Sequence, residues 1–347
     1  LRYADVVRAT MDTETFSNAA QPRYGKPLPP LEVDPPHHRV YRRALQPFFT
    51  PERVKQIEEK IRPLTAALVD RLVAEREVDL ARELAYPVPV FGLCALVGAP
   101  SGNWSAIKTM SENSLMLDSD KAAERALARE AHEGLMAMSR GMVADRRQHP
   151  RDPSTDITSA LLAARIDDET MDDETAAGSL RLLFSAGHNS TTSAIGNALV
   201  HLAEHRDHQD TLRSNPDAIP AAVEELLRLY TPVQQMLRVA TRDTELHGCP
   251  IKKGERLGMF WSAANRDPEV FADPDSYRPD RSPNRHIAFG HGIHTCIGSP
   301  MARMEIRLTL EELLARTSGF EATGPIERPP FHRIGVTRLP ARLYAQA

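Results

Sequence analysis

The sequence predicts a mainly α protein with a minor β region. Long stretches with apolar residues at helical spacing cover 50–72, 172–205 and 219–230. Two short segments rich in Val, Thr and Ile, 238–248 and 251–259, have the composition of strands. Because no internal repeat or low-complexity linker interrupts the chain, residues 1–347 are expected to form a single domain.

The first two long helices contain residues that do not suit a regular helix. Thr50 can cap the helix over 50–72 and Pro51 suits its first position, but Pro63 is expected to bend or break it. The helix over 172–205 contains Gly178, Gly187 and Gly196. Each costs about 1 kcal/mol relative to alanine, so we expect close packing or a local opening of that helix.

The remaining elements follow from proline and glycine positions. The helix over 219–230 has Pro220 in its first turn and ends at Thr231-Pro232. A Gly248-Cys249-Pro250 turn separates the two predicted strands. The region 266–285, rich in Asp, Pro and Arg, has no periodicity and is expected to be an ordered meander. A glycine-containing loop then leads into a helix over 300–317.

Composition and charge exclude several classes of protein. The 43 basic and 47 acidic residues give a formal net charge of −4, so no overall basic field favours nucleic acid. The three cysteines, Cys94, Cys249 and Cys296, are too few and too widely spaced for a disulfide framework. The sequence has no apolar run of about 20 residues and no signal-peptide pattern. We therefore expect a cytoplasmic protein that does not bind membranes.

The most informative segment surrounds Cys296. It reads Phe289-Gly290-His291-Gly292-Ile293-His294-Thr295-Cys296-Ile297-Gly298, and a helix follows it. Glycines let backbone approach a flat ligand closely, and the positive end of a helix stabilises a thiolate. A thiolate is one of the few protein ligands of heme iron. A lone cysteine is more often a buried structural residue, but the spacing of this segment favours the ligand. A dinucleotide-binding loop is excluded because it would require glycine in place of Thr295.

This segment resembles the cysteine-loop signature of the cytochrome P-450 family, whose members are heme-thiolate monooxygenases. The resemblance covers nearly the whole chain, although the family's N-terminal portion has no counterpart before Arg2. It implies a triangular α-rich prism, with heme b between a long distal helix and the cysteine loop. It also implies Cys296 as axial ligand of the iron, with Phe289, Gly290 and Gly298 shaping the loop around the heme.

Two further sets of residues match family positions. Glu225-Leu226-Leu227-Arg228 resembles the Glu-x-x-Arg helix, whose pair is joined by an arginine of the meander, here Arg281. The resemblance implies that these three residues support the heme loop. It also implies four side chains that bind the heme propionates by charge-assisted hydrogen bonds: His38, Arg42, Arg238 and His294.

The distal helix departs from the family pattern. Ala186-Gly187-His188-Asn189-Ser190-Thr191 stands where the family usually has Ala-Gly-x-(Asp or Glu)-Thr, an acid–alcohol pair that delivers protons for oxygen activation. Asn189 cannot titrate, and Ser190 keeps only the hydroxyl. The residues expected to act on this side of the heme are Ala186, Gly187, Asn189, Ser190 and Thr191.

The implied reaction inserts one oxygen atom from O2 into a small hydrophobic organic substrate, by hydroxylation or heteroatom dealkylation. Family position and apolar character predict that five residues line the substrate site: Leu182, Leu183, Val233, Met236 and Leu237. Residues 23–31 are expected to form a mobile lid.

Electrons must come from outside, because the sequence has no flavin, nicotinamide or iron–sulfur motif. We expect NAD(P)H to supply them through a ferredoxin, or through a flavin or iron–sulfur reductase that is separate or fused. Arg39, Arg43 and Arg303 are expected to contribute to a basic docking face. The distal helix and heme loop also resemble bacterial members that are fused to a reductase.

Three alternatives stay open at this point. One is a peroxide-using or non-monooxygenase heme-thiolate enzyme on the same fold. Another is an electron-transfer heme protein, which would need a second axial ligand. The third is a zinc hydrolase, because His201-Leu202-Ala203-Glu204-His205 matches the inverted zinc-peptidase pattern, with His201 and His205 as ligands and Glu204 as base.

Overall fold

The computed structural model describes residues 2–19, 27–98, 104–114, 121–166, 168–329 and 334–346. The α-helices within these ranges are α1 Tyr3–Met11, α2 His38–Leu45, α3 Pro51–Glu75, α4 Pro87–Val97, α5 Trp104–Asn113, α6 Ala122–Gln148, α7 Ile157–Ala163, α8 Asp173–Glu204, α9 Arg206–Ser214, α10 Ile219–Leu229, α11 Trp261–Ala264 and α12 Ser299–Arg316. The strands are β1 Phe16–Ser17, β2 Glu77–Asp79, β3 Arg165–Ile166, β4 Glu169–Thr170, β5 Gln235–Ala240, β6 Thr244–Leu246, β7 Cys249–Ile251, β8 Arg256–Phe260, β9 Thr317–Ala322 and β10 Pro340–Ala345. None of the described helices is long and apolar enough to cross a bilayer. Part of the predicted lid, 23–26, lies outside the described residues.

The four predicted helices are present as α3, α8, α10 and α12. Of the bend or break expected at Pro63, the break is wrong, because α3 continues through this residue, and the bend stays a prediction. Pro63 is exposed, and so is Glu59 one turn earlier. The carbonyl that a proline leaves unpaired therefore faces water, which lowers the cost of the missing hydrogen bond.

Of the two expectations for α8, close packing or local opening, the opening is not found, because the helix runs without interruption from Asp173 to Glu204. Close packing explains one of its glycines. A Cβ atom on Gly196 would lie 3.2 Å from the Cβ atom of Val336. Gly178 and Gly187 have only ordinary van der Waals neighbours on that side.

The β region differs from the prediction in its boundaries. The segment 238–248 divides into the end of β5 and all of β6. The turn lies at His247 and Gly248, whose φ angles are 51° and 76°, and Cys249 and Pro250 belong to β7. Two consecutive positive φ angles suit a tight hairpin, which moves the turn towards the N-terminus.

The strands form small antiparallel sheets. One sheet has the order β1-β5-β8 and another the order β2-β10-β9, while β3–β4 and β6–β7 are separate two-stranded pairs. In the first sheet Phe16 pairs with Ala240, and Arg238 pairs with Leu257. This register determines where Arg238 lies in β5.

The residues group into two compact units, and the boundary in α8 falls after Asn189. Unit 1 comprises Leu1–Ser17, Glu58–Val88 and Ser190–Ala347. Its main core contains Leu199, Leu310 and Phe320, and a second core surrounds Phe16 and Trp261.

Unit 2 comprises Asn18–Ile57 and Pro89–Asn189. Within it α6 packs against α5, and a Cβ atom on Gly134 would lie 2.7 Å from Met110 Sδ. The expected organisation of residues 1–347 as a single domain stays a prediction.

Candidate functional site

The segment before α12 forms a hydrogen-bonded loop that presents Cys296. The Cys296 amide donates to the Phe289 carbonyl at 2.8 Å, and the Gly290 amide donates to the Ile287 carbonyl at 2.9 Å. Thr295 donates to the Gly292 carbonyl from both its amide, at 3.0 Å, and its hydroxyl, at 2.7 Å. The Cys296 side chain is exposed, although most of the loop is half-buried. Hydrogen bonds within the loop therefore fix its backbone, while the side chain of Cys296 stays accessible.

Gly292 sits where the loop meets α1. Its φ angle is 75°, and a Cβ atom there would lie 2.6 Å from the Thr10 carbonyl oxygen. The Thr10 hydroxyl also lies 3.4 Å from His291 Nδ1. No side chain larger than hydrogen fits at this position without moving the loop or α1.

Glu225 of α10 organises the meander that precedes the loop. Both of its oxygens accept from Arg228, at 2.8 and 2.9 Å, and Arg281 Nε lies 3.3 Å from each oxygen. Asn284 Nδ2 and the Arg278 amide donate to the same carboxylate. The structure thus brings the three predicted support residues together in unit 1.

Arg228 also fixes the path of the meander backbone. Its guanidinium donates to the carbonyls of Asn265, Pro274 and Ser276, and it lies over the Phe271 ring, as Arg281 does. Asn265 in turn accepts from the Ile287 amide at 2.7 Å, two residues before Phe289. Sequence reasoning missed Asn265 and Asn284, because nothing in their local sequence indicates contact with α10.

The four residues predicted to bind the propionates come from three parts of the chain: β5, the cysteine loop and α2. In unit 1, Arg238 is a buried residue of β5 that donates to the Leu237 carbonyl at 2.8 Å, and His294 is half-buried in the cysteine loop. In unit 2, His38 is buried and Arg42 half-buried one turn apart on α2. Arg39 and Arg43 on the same helix are exposed.

The predicted distal residues differ in exposure. Ala186 and Gly187 are exposed although most of their neighbours on α8 are buried, so their backbone borders open space. Ser190 is half-buried and Thr191 is buried. On this helix, two small exposed residues are followed one turn later by two hydroxyl-bearing ones.

Asn189 has a role that its sequence position does not reveal. It is buried, and its Nδ2 donates to the carbonyls of Ser111 and Ser185, each at 3.2 Å. The Ser111 hydroxyl donates to the Phe184 carbonyl at 3.0 Å. An ionised carboxylate can only accept, so it would oppose both carbonyls. Asn189 therefore joins the end of α5 to α8 in a way that an ionised acid at this position could not.

The residues predicted to line the substrate site differ in how deeply they are buried. Leu182 is buried, while Leu183 is half-buried. Val233 and Met236 are half-buried against the core around Phe16 and Trp261, and Leu237 is 37% exposed. Leu182 thus contributes to packing, whereas the other four keep accessible surface.

The histidines of the predicted zinc pattern are brought together, with an additional partner. His201 is buried, and its Nε2 lies 3.0 Å from His208 Nδ1. The His205 ring stacks on both of these rings, and Glu204 is exposed. His208 was missed as a partner, because it lies on α9, beyond the end of α8 at Glu204, where the spacing within one helix no longer applies.

Comparisons with known proteins agree with this arrangement. The sequence profile of the family described as Cytochrome P450 matches residues 113–219 and 217–343. Cytochrome P450 109 of Bacillus spizizenii is 36% identical over 90% of this chain and 79% of its own length. Erythromycin C-12 hydroxylase of Saccharopolyspora erythraea is 36% identical over 91% of this chain and 80% of its own length. Steroid C26-monooxygenase of Mycobacterium tuberculosis is 31% identical over 90% and 85%.

Solved structures show the same fold. The open form of cytochrome P450 EryK from S. erythraea superimposes with a TM-score of 0.90 at 33% identity, over 99% of this chain and 90% of that one. CYP109B1 from Bacillus subtilis gives a TM-score of 0.86 at 32% identity, over 98% and 92%.

The chain belongs to the cytochrome P450 family. Its predicted fold class is confirmed, and it is an oxidoreductase of the monooxygenase type. Family membership implies a heme held by a cysteine thiolate, an organic substrate, O2 and a redox partner. The zinc-hydrolase alternative does not describe the activity of this family.

Proposed function

We propose that the chain is a monooxygenase whose heme iron is bound by the thiolate of Cys296. The observation that carries this proposal is the loop geometry. The Cys296 amide is bonded to Phe289, its side chain is exposed, and α12 begins three residues later. Residues 290 and 292 are glycines with positive φ angles, so the loop carries no Cβ atom at these two positions. The Cys296 sulfur can bind an iron ion, and the glycine backbone next to it can approach a flat ring closely. This combination suits a heme with a thiolate ligand.

The bound heme would supply activation of O2, and the protein's residues would position it. We assign its carboxylates to His38, Arg42, Arg238 and His294, which offer donors that suit an anion. Phe289, Gly290 and Gly298 shape the surrounding loop. Glu225, Arg228 and Arg281 hold the meander that leads into it.

On the side of the heme opposite Cys296, the small exposed residues Ala186 and Gly187 would leave space beside α8. Ser190 and Thr191 offer hydroxyls that can order a water molecule and pass a proton. Asn189 positions the helix through Ser111, so proton delivery depends on hydroxyls and water instead of a carboxylate.

A carbon monoxide difference spectrum of the reduced protein tests the central assignment. Wild type is expected to show the Soret band of a thiolate-bound heme, and Cys296→Ser is expected to lose it. Cys249→Ser is the matched control, because Cys249 is also an exposed cysteine of unit 1. A thiolate spectrum that survives in Cys296→Ser would refute the assignment.

The proton-delivery assignment has its own test. Ser190→Ala is expected to raise electron consumption per product formed, because protons would arrive less efficiently. Ser185→Ala, which removes a hydroxyl bonded to the Leu182 carbonyl on the same helix, is the control. Equal coupling in both variants would remove Ser190 from the pathway.

The substrate is proposed to be a hydrophobic organic molecule that contacts Leu183, Val233, Met236 and Leu237, with Leu182 behind them. The named activities of two relatives, on erythromycin and on a steroid, make macrolides and steroids the first compounds to screen by spin-state shift. Electrons are proposed to come from NAD(P)H through a ferredoxin or a flavin or iron–sulfur reductase. Turnover with peroxide alone, and none with electron donors, would favour the peroxide-using alternative.

Docking of that redox partner is proposed to use Arg39 and Arg43. Arg303 is only partly available, because its guanidinium donates to Glu224 at 2.7 and 2.9 Å and covers the Phe289 ring. We propose a cytoplasmic location on the basis of the sparse cysteines.

A further inference from the structure

Three histidines gather where α8 ends and α9 begins, all within unit 1. One ligand nitrogen of each of His201, His205 and His208 lies within 4.8 Å of the other two. His201 Nε2 and His208 Nδ1 are 3.0 Å apart. The ring centroids of His201 and His205 are 4.4 Å apart. Hydrophobic packing at this place would not need three adjacent histidines, so the cluster calls for another explanation.

Hydrogen bonds determine which nitrogens are available. His205 Nδ1 lies 2.8 Å from the His201 carbonyl oxygen. A carbonyl can only accept, so His205 carries its proton on Nδ1 and keeps a lone pair on Nε2. His201 Nδ1 is 3.0 Å from the Tyr230 hydroxyl, which leaves His201 Nε2 to face His208. This is the arrangement by which metal-binding histidines are usually oriented, with one nitrogen held and the other directed at the ion.

Burial disfavours a positive charge on two of the three rings. Burial, with smaller contributions from His205 and His208, lowers the pKa of His201 to about 4. Burial also lowers the pKa of His208. Neutral imidazole is the form that binds a metal ion. Two neutral rings 3.0 Å apart share one proton between their facing nitrogens, and a cation can take the place of that proton.

We propose that His201, His205 and His208 form a binding site for a divalent transition metal ion such as Zn²⁺, separate from the cysteine loop. Imidazole ligands suit Zn²⁺, Ni²⁺ and Cu²⁺. In a tetrahedral zinc site with Zn–N bonds of about 2.0–2.1 Å, ligand nitrogens lie about 3.3 Å apart, near the separation of His201 and His208. Water would complete the coordination, because Glu204 is exposed and its carboxylate is not among the clustered ligand atoms.

Metal binding requires movement of two rings. The three ring planes are within 19° of parallel, whereas a metal ion lies close to the plane of each ring that binds it. His205 and His208 are half-buried and can turn, while His201 is held between Tyr230 and Tyr277. The ion would connect α8 to α9 and, through these tyrosines, to the end of α10 and the meander.

Calorimetric titration of the tag-free, heme-loaded protein with ZnCl2, after chelator treatment, tests the site. We expect about one Zn²⁺ per chain, and we expect His205→Ala and His208→Ala each to weaken binding at least about tenfold. His149→Ala is the control, since His149 is an exposed histidine of unit 2. Unchanged affinity in the double variant His205→Ala/His208→Ala would overturn the proposal by showing that zinc binds elsewhere.

Thermal unfolding gives a second measurement. Zn²⁺ at a concentration well above its Kd is expected to raise the midpoint for wild type and His149→Ala but not for the double variant, because a ligand stabilises the state that binds it. An equal rise in the double variant would contradict the site. The Soret spectrum of each variant is recorded in parallel, and it reports on Cys296 independently of zinc.

Discussion

At the scale of single residues, Arg228 shows how a fully buried charge is made tolerable. Arg228 and Glu225 each have no exposed side-chain surface. A guanidinium has five N–H donors, and Arg228 makes five hydrogen bonds, two to Glu225 and three to carbonyls of Asn265, Pro274 and Ser276. Burying an ion pair costs desolvation free energy that only such complete pairing offsets. Substitution of either residue alone is therefore expected to destabilise the protein, because it leaves the other charge buried without its partner.

Glu225→Gln is expected to lower the free energy of unfolding by about 3–5 kcal/mol, because it leaves Arg228 and Arg281 buried without their counter-charge. Urea unfolding of the heme-loaded protein measures this, and heme retention shows whether the loop is affected. Glu269→Gln is the control, since that exposed glutamate forms only a 3.6 Å pair with Arg2. It should change stability by less than about 0.5 kcal/mol. Equal effects of the two substitutions would contradict the expectation.

At the scale of elements, the contact between α1 and the cysteine loop depends on a missing side chain. Gly292 has a positive φ angle, and a Cβ atom there would meet the Thr10 carbonyl oxygen at 2.6 Å. Gly254 has a φ angle of 88° but no atom within 4 Å of the corresponding position. The two glycines share a left-handed backbone conformation, and only at Gly292 would an added Cβ atom also clash with another segment.

Gly254→Ala is expected to cost about 1–2 kcal/mol of stability, from the left-handed backbone alone. Gly292→Ala should cost a further 1–3 kcal/mol or so, because the loop or α1 must move to relieve the clash. Urea unfolding gives both values, and only Gly292→Ala should also reduce heme content. Equal costs, with heme content preserved in both, would show that the loop does not depend on close contact with α1.

A second element-scale link joins α10 to α12. Burial raises the pKa of Glu224, but hydrogen bonds from His286 and Arg303 outweigh it and lower this pKa from 4.5 to about 2. A lowered folded-state pKa means that the ionised group stabilises the protein above about pH 4.5. That contribution is lost as the pH falls from about 4.5 towards 2.

Glu224→Gln is therefore expected to be less stable than wild type near neutral pH, with a difference that shrinks as the pH falls through this window. Urea unfolding of both proteins at several pH values between about 5 and 3 measures the trend. Glu269→Gln again serves as control and should show a much smaller pH-dependent difference. A difference between wild type and Glu224→Gln that stays constant with pH would mean that the ion pair with Arg303 contributes nothing.

Four of the described helices and the cysteine loop could be predicted, because their signals lie in the local sequence. Helical periodicity located α3, α8, α10 and α12, and the spacing of glycines around Cys296 singled out its loop. Contacts between segments far apart in the sequence could not be predicted in this way. Asn189 donates to the carbonyl of Ser111, 78 residues away, and this contact needs a donor that an ionised carboxylate lacks. His208 joins His201 across the end of α8, where a sequence pattern for one helix stops applying.

At the scale of the molecule, each compact unit contains its own buried ion pair. Unit 1 has Glu225 and Arg228, and unit 2 has Arg146 and Asp156, which are 7% and 8% exposed. Arg146 Nε lies 3.1 Å from both Asp156 oxygens, and one of these oxygens also accepts from the Ser159 amide at the start of α7. Breaking one pair should therefore weaken the unit that contains it.

Asp156→Asn tests whether such damage stays local. Asparagine caps a helix about as well as aspartate, so the substitution keeps the cap on α7. It removes the buried negative charge beside Arg146 and leaves this arginine with the exposed Asp145 carboxylate. Amide hydrogen exchange is expected to accelerate in α7 and in the C-terminal turns of α6, and to stay unchanged in α12 and in the β9–β10 pair of unit 1. Asp152→Asn, on an exposed turn of the same unit, should change neither region. Acceleration spread evenly over both units would instead mean that the chain opens as one cooperative body, as expected for a single domain.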